Sequence, residues 1–190
     1  MMRCGFAAAV FLSMVSSATA ADWPCVQRKV AEISLAAVWA GPPLDTAAQA
    51  WRSDPAIAGL AERLAARRTT QTEARAAIAG LAKPQLLALM AGLIETVNAE
   101  RAEVIAGLER FGAAQKQMAT TLREENAKLS ALRAEPQADP AKLAEQSDQL
   151  VWSLRIFEER QKSLRFVCEV PVLIEQRLFA LSRDIQKALQ

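Results

Sequence analysis

Histidine and tyrosine are both missing from this chain of 190 residues. Histidine is the commonest general base and the commonest transition-metal ligand, so its absence excludes Ser–His and Cys–His catalytic pairs and haem attachment through Cys-x-x-Cys-His. The sequence also has no glycine-rich phosphate loop, no zinc-ligand spacing and no calcium-loop pattern. We therefore expect a protein that is not an enzyme and that binds no metal and no cofactor.

Neither sign of charge is in clear excess. The chain has 23 Lys and Arg residues against 21 Asp and Glu residues, a formal net charge of +2. Nucleic-acid binding depends on a clear excess of Lys and Arg, so this balance argues against a nucleic-acid partner and against electrostatic attachment to an anionic membrane. The adjacent carboxylates at Glu124 and Glu125 point to different parts of a helix surface, which favours a solvated face over a metal site.

The first 20 residues have the layout of a cleaved signal peptide. A short basic start at residues 1–3 precedes an apolar run at residues 4–15 that is too short to span a membrane, and Ser-Ser-Ala-Thr-Ala at residues 16–20 supplies a small-residue cleavage site. We therefore expect an exported, periplasmic protein that begins at Ala21 and has no membrane span. In a eukaryote the same signal would direct secretion.

Removal of the signal peptide leaves two cysteines, Cys25 and Cys168. In an oxidising compartment a disulfide between them is the simplest state. Such a bridge closes a loop of about 143 residues, for which the chain-entropy model gives roughly 5 kcal/mol as an upper estimate. Two buried free thiols, or a bond between chains, are the alternatives.

The remaining composition is that of an all-α protein, since Ala, Leu, Glu, Gln, Arg and Lys dominate and only seven glycines occur. Residues 21–82 are predicted to form a small helical subdomain, in which Asp54 caps one helix and Thr70 and Glu73 have the capping-box spacing. Its predicted helices cover residues 24–40, 46–52, 55–68 and 70–81.

Residues 84–190 carry two long heptad patterns separated by a turn at residues 135–138. The first pattern places apolar residues seven apart, at Met90, Val97, Val104, Phe111 and Met118. The second does the same at Leu143, Leu150, Phe157, Leu164, Pro171, Leu178 and Ile185, with Leu154 and Cys168 at its companion position. Two helices of about 49 residues each, joined tightly, predict an antiparallel coiled-coil hairpin with the subdomain packed at its base. Pro171 is expected to kink the second arm.

Trp39, Pro42, Pro43 and Trp51 form the candidate protein-binding segment. Tryptophan buries a large area with few rotatable bonds, which favours it at interface hot spots, and a Pro-Pro loop would hold the segment rigid. Packing of both rings in the core is the alternative. Arg67 and Arg68 complement a helix dipole at the end of a predicted helix, and they could also face an acidic partner.

These features favour an exported, non-enzymatic helical interaction or scaffold protein, an adaptor or accessory subunit that binds another protein. Polar residues interrupt the seams of the hairpin, either to set the register or to open a groove for the hairpin of a second copy in a homodimer; they are Gln115, Glu125, Ser147 and Gln161. A periplasmic holdase-type chaperone and, less favoured, a helical bundle that binds a small ligand are the alternatives.

Overall fold

The computed structural model describes residues 23–190, and this part of the chain contains helices and no strand. The predicted signal peptide lies outside the described residues. The six helices of the described part are α1 (Leu35–Val38), α2 (Ala47–Ser53), α3 (Pro55–Ala65), α4 (Gln71–Ala79), α5 (Lys83–Ala134) and α6 (Pro140–Ala188).

Helices α5 and α6 form the hairpin. They contain 52 and 49 residues, so each arm is roughly 75 Å long at 1.5 Å per residue. The second arm begins at Asp139, whose side chain accepts a hydrogen bond from the Ala141 amide at 2.9 Å, and Pro140 occupies the first turn, where no amide is needed. The predicted fold class, an all-α hairpin with small helices packed at its base, is confirmed.

The main core lies at the base of the hairpin. There α2 and α3 pack on α5, while α4 packs on α6. The side chains of Leu64, Ile78, Leu89, Leu178 and Ile185 are almost completely buried in this core. A second, smaller cluster near the tip consists of Leu122, Leu129 and Leu150. The middle of the hairpin lies between these two clusters and is less completely enclosed.

The predicted helix starts agree with the local hydrogen bonds. Asp54 Oδ1 accepts from the amides of Ala56 at 2.9 Å and Ile57 at 3.2 Å, which starts α3. Thr70 and Glu73 form a reciprocal capping box: Thr70 Oγ1 accepts from the Glu73 amide at 3.2 Å, and Glu73 Oε2 accepts from the Thr70 amide at 2.7 Å. Two of the four amides left free at each helix start are satisfied in this way.

The predicted helix at residues 24–40 is wrong over most of its length. Only Leu35–Val38 is helical, and residues 23–34 form a non-helical segment that we call the strap. Side chains of α5 form hydrogen bonds with strap amide and carbonyl groups that would bond each other in a helix. The Asn98 side chain bonds both the amide and the carbonyl of Ile33, at 2.9 and 3.1 Å, and Arg101 Nε donates to the Val30 carbonyl at 3.1 Å.

One seam assignment in the second arm is also wrong. Leu154 is 42% exposed, whereas its neighbour Ser153 is half-buried. In a heptad that contains Leu150 and Phe157, the seam position between them can be three or four residues after Leu150. Helix α6 is rotated so that Ser153, three residues on, faces α5, and Leu154, four residues on, does not. Pro171 is buried, and α6 continues through it without a break in the helix assignment.

Candidate functional site: an apolar groove on the helical hairpin

The two tryptophans of the candidate binding segment pack against the base core. Trp39 is buried, and its Nε1 donates to the Pro42 carbonyl at 2.8 Å. Trp51 is half-buried, packs over Gly92, and donates from Nε1 to Glu95 Oε1 at 3.3 Å. These contacts correspond to the core-packing alternative, and a binding role for either ring stays a prediction.

The remaining predicted binding residues lie on the surface of the base. Pro42, Pro43, Arg67 and Arg68 are all exposed. Within residues 23–190, no hydrogen bond or ion pair joins the two arginines to the Pro-Pro loop. The structure therefore brings Trp39 and Pro42 together, but it shows no single site that combines them with Arg67 and Arg68.

The two cysteines are joined in the structure. Cys25 and Cys168 form a disulfide with their Cα atoms 5.6 Å apart, the usual separation for such a bond. The bridge fastens the strap to α6, and Lys29 pairs with Glu109 to fasten it to α5. The strap is thus held to both arms of the hairpin.

Exposed apolar side chains are concentrated on α6. In the described part of the chain, eleven large apolar side chains are exposed, and nine of them belong to this helix: Val151, Trp152, Leu154, Ile156, Phe166, Val167, Val172, Leu173 and Phe179. Scattered apolar residues are normal on protein surfaces, whereas a contiguous apolar patch marks an interaction site. Trp152 is 62% exposed and is the largest of these side chains.

A groove runs between α5 and α6 beside Trp152, midway along the hairpin. It consists of two adjoining cavities of about 360 and 420 Å³, which share Ile156 and Arg160. We call it the hairpin groove. Its α5 wall is Phe111, Ala114, Gln117, Met118, Thr121, Leu122 and Glu125, and its α6 wall is Trp152, Ser153, Arg155, Ile156, Glu159, Arg160 and Ser163.

Polar atoms without partners accompany this apolar surface. Arg160 lies over the Phe111 ring at 5.0 Å, but its buried Nε has no hydrogen-bond partner in the structure. The same is true of Glu125 Oε2 and of both polar atoms of the Gln115 side chain. An unpaired buried polar group costs about 1–3 kcal/mol, so these atoms make the packing beside the groove less favourable.

An ion pair between Glu159 of the α6 wall and Lys162 beside it keeps both of these side chains charged. Lys162 Nζ lies 2.9 Å from Glu159 Oε1. Its hydrogen bond and its positive charge lower the pKa of Glu159, and the same bond raises the pKa of Lys162. At neutral pH the α6 side of the groove therefore carries charges of both signs.

The groove walls are mostly apolar and carry a few polar side chains. No group of three or more His, Cys, Asp or Glu residues in the described range could hold a metal ion. Apolar walls with a few polar atoms are typical of sites that accept an amphipathic helix. The sequence signal for this surface was a second heptad on α6, which begins at Trp152 and is offset by two residues from the seam that packs on α5.

Comparison of the chain with family models, with curated proteins and with solved structures finds no match. None of the helices within residues 23–190 is long and apolar enough to cross a membrane. The function proposed below therefore rests on the groove, on the exposed apolar side chains of α6 and on the sequence.

Proposed function

We propose that this chain is an exported, non-enzymatic helical scaffold that binds protein through the hairpin groove. The observation that carries the proposal is that the exposed side chains of Trp152 and Ile156 line a groove whose opposite wall includes Phe111, Met118 and Leu122. A long hairpin braced at one end by a packed base is a rigid support for such a surface. The exposed Pro42 and Pro43, and separately Arg67 and Arg68, are candidate contacts for a partner at the base.

Export to the periplasm is supported by the layout of residues 1–20 and by the cysteines. Disulfides persist in oxidising compartments and are rare in the cytosol. Cys25 and Cys168 lie far apart in the sequence, yet the fold brings them to bonding distance. An exported chain with one pair of cysteines and no histidine fits a structural role better than a catalytic one.

A helix is the occupant that the groove fits best. Trp152 and Ile156 offer apolar contacts one helical turn apart on α6, and the half-buried Met118 adds one from α5. Arg160 and Glu125 place unpaired polar atoms beside them. An amphipathic helix laid in the groove would cover the apolar walls.

Photocrosslinking in intact cells tests this proposal. A photoreactive residue at Trp152 is expected to give one dominant protein adduct, identified by mass spectrometry. The matched control is the same residue at Leu154, which is also exposed but lies on the other flank of α6 and outside the groove. No adduct at Trp152, or the same adducts from both positions, would contradict the proposal.

One observation favours holdase activity as a second candidate function. Exposed apolar side chains continue past the groove along the same face of α6 to Phe166 and Leu173, so α6 offers a long adaptable surface to unfolded chains. A holdase would give many unrelated adducts from Trp152 and would suppress aggregation of a reduced model client. A single adduct, together with no suppression at molar excess, would exclude this activity.

A further inference from the structure

We propose that the hairpin groove is occupied by a second copy of this chain, with α6 packed antiparallel on α6 of that copy. The inference rests on the proposed function, because it names the occupant of the same groove. Two hairpins joined in this way form a four-helix assembly about a two-fold axis. The two bases then lie at opposite ends, with their exposed surfaces free for other partners.

The first argument is a second heptad seam on α6. Steps of four and three residues connect Trp152, Ile156, Glu159, Ser163, Phe166, Val170 and Leu173. These are the steps of a coiled-coil seam, and five of the seven residues are apolar. Trp152 and Phe166 are 62% and 58% exposed, so the described chain does not cover this seam. The seam extends over roughly 31 Å of helix.

The second argument is that the seam is complementary to itself when reversed. Antiparallel coiled coils place one type of seam position opposite the other. In the register that centres on residue 161, Trp152 faces Val170 of the second copy, and Ile156 faces Phe166 of the second copy. Glu159 faces Ser163, and the same three pairs repeat beyond the axis. Trp152, Ile156 and Phe166 thus each meet an apolar side chain, and the single acidic residue of the seam meets a hydroxyl group. Leu173, at the end of the seam, faces Gln149 of the second copy.

Charges beside the seam select this orientation. In the same register Arg155 lies opposite Glu169 of the second copy, so each side of the axis has a pair of opposite charges. The two Lys162 side chains approach the axis, and each is already paired with Glu159 of its own chain at 2.9 Å. A parallel arrangement would place Glu159 against Glu159 in the seam, which is unfavourable.

The available area and the position of the strap are consistent with a dimer. A fully enclosed aromatic side chain buries about 150–250 Å², so the four exposed rings of two copies contribute several hundred Å² towards a standard interface of roughly 1,200–2,000 Å². The strap is fastened at Asn98, Arg101, Glu109 and Cys168, none of which lines the groove.

Sedimentation equilibrium of the chain that begins at Ala21 tests the proposal. We expect the mass of a dimer. Trp152→Arg and Phe166→Arg should each raise the dissociation constant of the dimer by roughly tenfold or more. The matched control is Val151→Arg, because Val151 is also 62% exposed but lies outside the seam. Circular dichroism establishes that each variant folds. A folded monomer at every accessible concentration, or equal weakening by the control, would overturn the proposal.

Crosslinking tests the register separately. With Lys162→Cys, a short bismaleimide should join two chains efficiently, because this position approaches the two-fold axis. Gln161→Cys, one residue away and directed to the other flank of α6, should not crosslink. Efficient crosslinking at Gln161 alone would overturn the arrangement. If the chain is monomeric but Trp152 still photocrosslinks to one other protein, self-association fails while the proposed function stands.

Discussion

Arg101 of α5 and Pro171 of α6 are joined by a buried hydrogen bond between the two arms of the hairpin. Arg101 Nη1 donates to the Pro171 carbonyl at 2.6 Å, and its Nε donates to the Val30 carbonyl at 3.1 Å. The Arg101 side chain is 5% exposed, and its Nη1 lies 3.8 Å from Glu175 Oε2. One guanidinium therefore connects the strap, the first arm and the second arm.

Replacement of Arg101 should destabilise the fold. Hydrogen bonds to charged groups contribute about 1.5–3 kcal/mol, so Arg101→Ala, which loses two of them, is expected to lower the free energy of unfolding by about 2–4 kcal/mol. Arg101→Lys should recover only part of this loss, because an ammonium group cannot reproduce the fork of donors. Urea unfolding measures both variants. Arg110→Ala, an exposed position on the same helix, is the control and should change the free energy little.

Reduction of the Cys25–Cys168 bridge should loosen the strap before it affects the hairpin. The bridge closes a loop of 143 residues in sequence separation. Its removal by Cys25→Ser or Cys168→Ser is expected to lower the free energy of unfolding by about 2–5 kcal/mol, because the unfolded chain gains freedom. The double variant should match either single variant, since all three remove the same bond. Non-reducing mass spectrometry that detected two free thiols in the wild-type chain would contradict the pairing.

The elements that were predicted well are those whose signals are local. The capping box at Thr70 and Glu73, the cap at Asp54 and the heptads of both arms each involve neighbours within one or two turns. The strap was mispredicted because its conformation depends on Asn98 and Arg101, which lie about 65–70 residues away in the sequence. The periodic apolar pattern at residues 26–38 could not indicate that Asn98 and Arg101 form hydrogen bonds with the backbone of this segment.

A groove in the hairpin was one alternative for the polar residues of the seams, but its position beside Trp152 was missed for a related reason. Trp152 and Ile156 belong to a second heptad that is readable in the sequence, but the stronger seam through Leu150 and Phe157 already accounted for the helix. Which seam is covered depends on the position of α5, and that position is set by the base core. Phe111 and Met118 belong to the predicted heptad of the first arm. Both are half-buried in the groove wall, and Met118 also packs against the cluster near the tip.

Replacement by alanine should change the stability of the fold in opposite directions at Gly41 and Gly59. A Cβ at Gly41 would lie 2.6 Å from Trp39 Cε2, and that ring is buried and hydrogen-bonded to Pro42, so it has little room to move. Gly41→Ala is therefore expected to cost about 1–3 kcal/mol. A Cβ at Gly59 of α3 meets nothing within 4 Å, so Gly59→Ala should stabilise the helix by up to about 1 kcal/mol. Thermal unfolding distinguishes the two, and equal effects would contradict this packing of Trp39.

The capping box of α4 should make part of the stability dependent on acid pH. Hydrogen bonds from the amide and then the hydroxyl of Thr70 lower the pKa of Glu73 below its ordinary value of 4.5. A group whose pKa is lowered by folding stabilises the fold above its ordinary pKa, and this contribution is lost as the pH falls through the lower, folded pKa.

Thr70→Ala removes the hydroxyl donor but keeps the amide, so the pKa of Glu73 should rise only part of the way to its ordinary value. Carbon-detected NMR titration of the Glu73 carboxyl group measures this directly. Thr72→Ala changes an exposed threonine in the same turn that lies outside the capping box, and it should leave the pKa where it is in the wild-type chain. An equal rise in both variants would show that the hydroxyl of Thr70 does not hold Glu73, and that α4 starts without the reciprocal cap.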